Sequence, residues 1–151
     1  MSIEDDIAFF ERVPTFSVLG RAALRILAIG AESRYVHSGE VLFKAGDAAD
    51  AGFVVQEGAF NLTPGQGDGG AAIVVGRGTL LGELALLTQT VRPVTATATE
   101  PSTVLRVPRT LFLKMLEGYP DAAQQLRDNL ARRAEQSAQE IYGVRSLLEG
   151  G

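Results

Sequence analysis

From Tyr35 onward the helical spacing of the N-terminal residues gives way to short apolar, β-branched runs broken by glycines. That change of period constrains the fold more than any other feature. Gly46-Asp47 marks one turn with a mechanism, since glycine accepts positive φ and an aspartate can bond nearby backbone. Gly52 to Leu62 reads as a hairpin, two apolar runs around Glu57-Gly58. Ala71 to Gly76 is short, β-branched and bounded by glycine, so it reads as a strand. Val94 to Thr99 and Ser102 to Val107 give two more, and Pro108 stops the last. The middle of the chain is therefore predicted to be β.

Helices are expected on both flanks. Ile3 to Ala31 carries Ile7, Phe10, Leu24, Leu27 and Ala28 at inward-facing helical positions, with Pro14 breaking the run and Gly30 stopping it. Two or three short helices fit there. Arg109 to Glu117 reads as a helix ended by Gly118, and Pro120 opens the last and longest one. With 46% hydrophobic residues, 151 residues make one domain, 1–151, with a real core. Zero cysteines exclude a disulfide framework and thiolate metal sites. The acidic start Ser2-Ile3-Glu4-Asp5-Asp6 lacks an apolar signal core, and no apolar run approaches the ~20 residues that span a bilayer. A cytoplasmic protein without a membrane partner is expected. A net charge of −4 disfavours the broad basic face of a nucleic-acid binder.

Within Gly82-Glu83-Leu84-Ala85-Leu86-Leu87-Thr88-Gln89-Thr90-Val91-Arg92-Pro93-Val94-Thr95, one acid and one base lie nine residues apart with no other charge between them. The stretch reads as a small-anion site, in which a short helical turn offers N–H groups and Arg92 a two-pronged donor. The competing reading is a structural Glu83–Arg92 ion pair. Gly65-Gln66-Gly67-Asp68-Gly69-Gly70 spells a dinucleotide fingerprint, yet a strand follows it where a helix is required, so a flexible hairpin is expected. His37 is the only histidine; it cannot supply a multi-imidazole metal set or a Ser-His-Asp arrangement, and reads as a surface or edge-strand residue.

The stretch from Gly82 to Thr95 resembles the phosphate-binding cassette of the cyclic-nucleotide-binding domain family, which includes catabolite activator proteins and the regulatory subunits of cyclic-AMP-dependent kinase. Gly39-Glu40-Val41-Leu42-Phe43-Lys44-Ala45-Gly46-Asp47-Ala48-Ala49-Asp50 matches a second pattern of that family, and Val13-Pro14-Thr15-Phe16 and Tyr119-Pro120 stand in its order. The resemblance runs from about Phe9 to Arg133. It implies a mainly β fold: an eight-stranded antiparallel β-roll (a double-stranded β-helix of jelly-roll type) over 35–107, with helices over 3–31 and 109–149.

The resemblance further implies a sensor or regulatory module, not an enzyme, whose C-terminal helix moves on binding cyclic AMP or cyclic GMP, with no cofactor and no metal. It assigns the ligand to Gly82, Glu83, Leu84, Ala85, Arg92, Pro93 and Val94, with Arg92 on the phosphate and Glu83 on the ribose 2′-hydroxyl. Pro93 departs from the pattern. It stands where the family has a small residue whose N–H meets the phosphate, and it has no N–H. It also lacks the hydroxyl used to reach guanine, which leans toward cyclic AMP. An alternative register would align Val94 with the family's arginine; the spacing from Glu83 to Arg92 favours the first. Asn129, Arg132 and Arg133 are the candidates for a lid over the base. The alternative function is a fold of the same type that has lost its ligand and serves as an interaction module. A DNA-reading helix-turn-helix would follow the long helix, where this sequence ends at Gly151.

The last helix carries Leu130, Ala134, Ser137, Ile141, Val144 and Leu148 at alternating spacings of four and three, a narrow seam flanked by charge. A homodimer through that helix, or docking on a separate effector protein, is the expected assembly.

Overall fold

Ser2 starts the first helix by a reciprocal cap: its Oγ accepts the Asp5 N–H at 3.2 Å while the Asp5 carboxylate accepts the Ser2 N–H at 3.3 Å. The computed structural model describes residues 2–65 and 72–149, with side chains to residue 136 of the last helix. Helix α1 (Ile3–Phe10), a 3-10 turn (Phe16–Val18) and α2 (Arg21–Gly30) form the N-terminal flank. The five residues expected to face inward, Ile7, Phe10, Leu24, Leu27 and Ala28, are all buried. Gly30 closes α2 for a reason other than capping: a Cβ there would lie 2.7 Å from a methyl of Leu111, so the glycine permits close packing of the next helix.

The roll comprises β1 (Glu32–Val36), β2 (Val41–Phe43), β3 (Ala48–Ala49), β4 (Ala51–Glu57), β5 (Phe60–Pro64), β6 (Ile73–Val75), β7 (Leu80–Leu81), β8 (Thr90–Val91), β9 (Val94–Ala98) and β10 (Ser102–Pro108). These pair antiparallel in the orders β1-β10-β4-β7 and β2-β9-β5-β6, with β3-β8 as a separate ribbon. The jelly-roll architecture holds, but there are ten strands among the described residues rather than the eight expected. The excess arises because turns split off the two-residue ribbon β3-β8. A second expectation fails at Glu57-Gly58: β4 and β5 do not form a hairpin but belong to different sheets, so the chain turns a corner there. Gly58 has φ +89°, and a Cβ on it would lie 2.7 Å from the Ser102 backbone, so only glycine fits the corner. The expected pairing across the glycine-rich segment is present in its flanks, Phe60 to Leu62 opposite Val75 to Ile73; the hairpin tip itself, 66–71, lies outside the described residues.

Helix α3 (Arg109–Gly118) and α4 (Pro120–Glu149) complete the chain. Strand β4 is buried on both faces, and alternation sorts its side chains. Phe53 and Val55 enter the roll beside Phe43, Phe60, Ala96 and Val104. Val54 faces the other way with Leu105 and Val107, under the helical layer of Phe10, Phe16, Leu24, Phe112 and Met115. From α4, Ala122 and Leu126 are buried in that layer and Leu130 packs on it. The side chains of Ser137, Ile141, Val144 and Leu148 lie outside the described residues. Among the described residues, no helix is long and apolar enough to cross a membrane.

Candidate functional site

The turn that follows β7 begins at Gly82, whose φ of +84° bends the chain out of the strand into a 3-10 turn, Leu84–Leu86. The N–H groups of Ala85, Leu86 and Leu87 fold back onto the carbonyls of Gly82, Glu83 and Leu84. Leu86 is fully buried in the helical core, and Ala85 is buried beside it. Arg109, at the start of α3, holds the turn from below: its Nη1 donates to the carbonyls of Ala49 (3.0 Å), Ala85 (3.2 Å) and Thr88 (2.9 Å). The turn is thus tied to α3.

Arg92 is placed by backbone. Its N–H donates to the Asp47 carbonyl and its own carbonyl accepts the Gly46 N–H, both at 2.8 Å, extending the β3-β8 ribbon. The Asp47 carboxylate, for its part, accepts the Lys44 N–H at 3.0 Å. The Gly-Asp turn read in the sequence is therefore the clamp on the site arginine. The Arg92 side chain is only 4% exposed and lies over the rings of Phe43 (4.4 Å) and Phe53 (5.4 Å). Its Nη1 presses on Gly82, where a Cβ would sit 2.4 Å away. Both Nε and Nη1 are buried without a hydrogen-bond partner. Burial pushes the guanidinium below its ordinary pKa; the Asp50 and Asp47 carboxylates pull it up and Arg106 pushes it down. It remains charged.

The Glu83–Arg92 ion pair does not form. The Glu83 carboxylate accepts from Arg133 of α4 at 3.1 Å and 3.3 Å, and from the Thr15 hydroxyl. Thr15, only 3% exposed, lies between α1 and α2. Glu83 thereby joins the N-terminal layer, the turn and α4.

All seven residues assigned from the sequence, Gly82, Glu83, Leu84, Ala85, Arg92, Pro93 and Val94, line one cavity of about 360 Å3. Its remaining walls are apolar apart from Thr79 and Thr90. Such a space suits a ligand with an anionic end and an apolar body. The register that put Val94 in place of the arginine finds Val94 within β9, opposite Pro64. None of the lid candidates lines the cavity: Asn129, Arg132 and Arg133 line a hollow along α4, and Arg133 is engaged by Glu83. His37 is exposed just after β1, its ring edge-on to Tyr35 at 4.6 Å. Among the described residues no cluster of three acids or histidines could hold a metal. Sequence reasoning missed Thr15 and Arg109. Thr15 was read only as part of Val13-Pro14-Thr15-Phe16, with nothing to tie its hydroxyl to Glu83; Arg109 carried a faint signal, as the charge that opens α3 directly after Pro108.

Two antiparallel sheets rolled over a cavity define a jelly-roll domain, with the Arg92 guanidinium buried in the cavity wall without a hydrogen-bond partner for Nε and Nη1. The family model of the cyclic nucleotide-binding domain matches residues 33–119, and the chain belongs to that family. A cyclic nucleotide-binding-like protein from Brucella abortus is 36% identical, with a TM-score of 0.67 over 75% of this chain and 98% of that one. The N-terminal domain of a transcriptional regulator from Streptomyces coelicolor is 28% identical, with a TM-score of 0.79 over 88% of this chain and 94% of that one. Lysophospholipase nte1 of Neurospora crassa is 34% identical over 100 residues, which are 65% of this chain but 7% of that protein. The chain thus spans a small fraction of the curated relatives it matches.

Proposed function

We propose that the domain is a regulatory module that senses a cyclic purine nucleotide, cyclic AMP in preference to cyclic GMP, and performs no catalysis itself. One observation carries the reading: Arg92 keeps two buried nitrogens without partners in the wall of an apolar cavity. A buried charge is costly unless an opposite charge meets it. A cyclic phosphate supplies that charge, and the purine fills the apolar remainder. Glu83 then exchanges Arg133 and Thr15 for the ribose 2′-hydroxyl, which frees α4 at Arg133. Ligand binding and helix docking compete for one carboxylate.

Pro93 favours a second reading, an interaction module without ligand, because it withdraws one donor from the phosphate. A hydrogen bond to a charged acceptor is worth about 1.5–3 kcal/mol, so the loss weakens binding about tenfold to a hundredfold without abolishing it. Calorimetric titration decides between the readings. Heat with cyclic AMP, less with cyclic GMP and none in Arg92→Ala supports the sensor. Silence with both nucleotides at millimolar concentration supports the interaction module.

A further inference from the structure

Behind the Glu83 wall lies a second cleft, of about 620 Å3, lined by Arg12, Arg77 and Arg133 together. Against three guanidiniums the lining holds one carboxylate, Glu83, leaving a net of two positive charges on a protein whose own net charge is −4. Arg133 is spoken for by Glu83. Arg12 and Arg77 form no ion pair among the described residues; Arg77 only stacks on Phe9, 5.1 Å from the ring centre. Arg12 follows the C-terminal end of α1, where a cation is favoured. That accounts for one charge and not for a second guanidinium brought up to the same space from the turn between β6 and β7. Asp5 and Asp6 do not line this cleft, but they share a neighbouring hollow with Arg12 and Arg77 without forming an ion pair to either.

We propose that this cleft is a second anion site, for a small phosphorylated molecule or a pyrophosphate-like polyanion. The volume exceeds what a lone inorganic ion needs and falls within the range of small-molecule pockets. Guanidiniums converging from different elements suit tetrahedral oxyanions with several acceptor oxygens; a planar carboxylate is satisfied by a single fork. Phe9 and Pro14 give the cleft an apolar side for the rest of such a molecule, and the Thr15 hydroxyl is already turned to Glu83. The site does not use Arg92, which lines only the other cavity.

The test is calorimetric titration of the full 151-residue chain with inorganic pyrophosphate at low salt. Arg92→Ala, which removes the guanidinium of the first cavity, should still bind pyrophosphate, and adding Arg12→Ala or Arg77→Ala to it should each weaken that binding about tenfold or more. Both substituted arginines are exposed, so thermal unfolding should stay at the wild-type midpoint. Arg132→Ala removes a charge outside the cleft and should bind as wild type. Absence of pyrophosphate binding overturns the proposal. So does loss in Arg92→Ala with retention in Arg77→Ala, which would move the anion to the first cavity, and so does an equal loss in Arg132→Ala, which would leave only net charge at work.

Discussion

Arg92 is held in three ways that have nothing to do with a counter-charge: backbone bonds to Gly46 and Asp47, two aromatic faces, and contact with Gly82. Its guanidinium therefore contributes little net stability, because desolvation of an unpaired charge opposes the packing of its stem. Arg92→Ala should abolish nucleotide binding while shifting the unfolding free energy by no more than ~1 kcal/mol. A loss of several kcal/mol in denaturant titration would mean that the arginine is structural after all. Gly82→Ala attacks the same contact from the other side. It demands positive φ of a residue with a Cβ and drives that Cβ into Nη1, so it should cost ~1–2 kcal/mol and displace Arg92, lowering affinity together with stability. Pro93→Ala restores a donor and should tighten binding about tenfold or more; unchanged affinity would mean that this position never faces the phosphate. Much of this was legible in the sequence, because Glu83 and Arg92 stand isolated among apolar neighbours. The partner of Glu83 was not. Arg133 lies 50 residues away, and no local pattern reports which cation a folded chain delivers to a carboxylate.

Among the elements, those long enough to show a period were readable. Strand β10 and helix α3 fall, to within one residue, where Ser102 to Val107 and Arg109 to Glu117 place them. The ribbon β3-β8 was not, since two residues per strand leave no alternation to detect, yet Arg92 directly follows that ribbon and its backbone bonds extend it. The corner at Gly58 was misread for a related reason: a glycine turn between two apolar runs looks the same whether the runs pair or part. Helix α4 has its docking face in Ala122, Leu126, Leu130 and Arg133, at spacings of four, four and three. The last of these is a half-exposed ion pair and worth little in stability, about 1 kcal/mol at most. Removing it changes competition for Glu83 more than the fold. Arg133→Ala should therefore raise cyclic-nucleotide affinity by about threefold, because the ligand no longer displaces a cation, and should speed amide exchange in α4 beyond Leu130. Affinity that stays at the wild-type value in this variant would uncouple Glu83 from the helix.

At the scale of the whole molecule, α4 is the longest element of the fold. Its 30 residues extend about 45 Å at 1.5 Å per residue, and among the described side chains Leu130 is the last that packs on the helical layer. Residues 131–136 are exposed, Ala134 among them. Leu130, expected to open a dimer seam, is taken by the protein's own core, so a seam can begin only after it. Beyond that point the sequence keeps the spacing of four and three at Ser137, Ile141, Val144 and Leu148. An isolated helix with such a stripe gains most of its stability from packing that stripe, and a second copy presents the identical stripe in the same register. We predict a parallel homodimer through the distal half of α4, with its geometry shifted by whatever ligand releases Arg133 from Glu83. Light scattering at micromolar concentration should return about twice the chain mass of 16.0 kDa. Ile141→Glu, placing a charge in the middle of the seam, should return the mass to that of one chain and leave the unfolding of the roll in place. A monomer that persists at high concentration, or a dimer indifferent to Ile141→Glu, would assign the distal helix to a different partner.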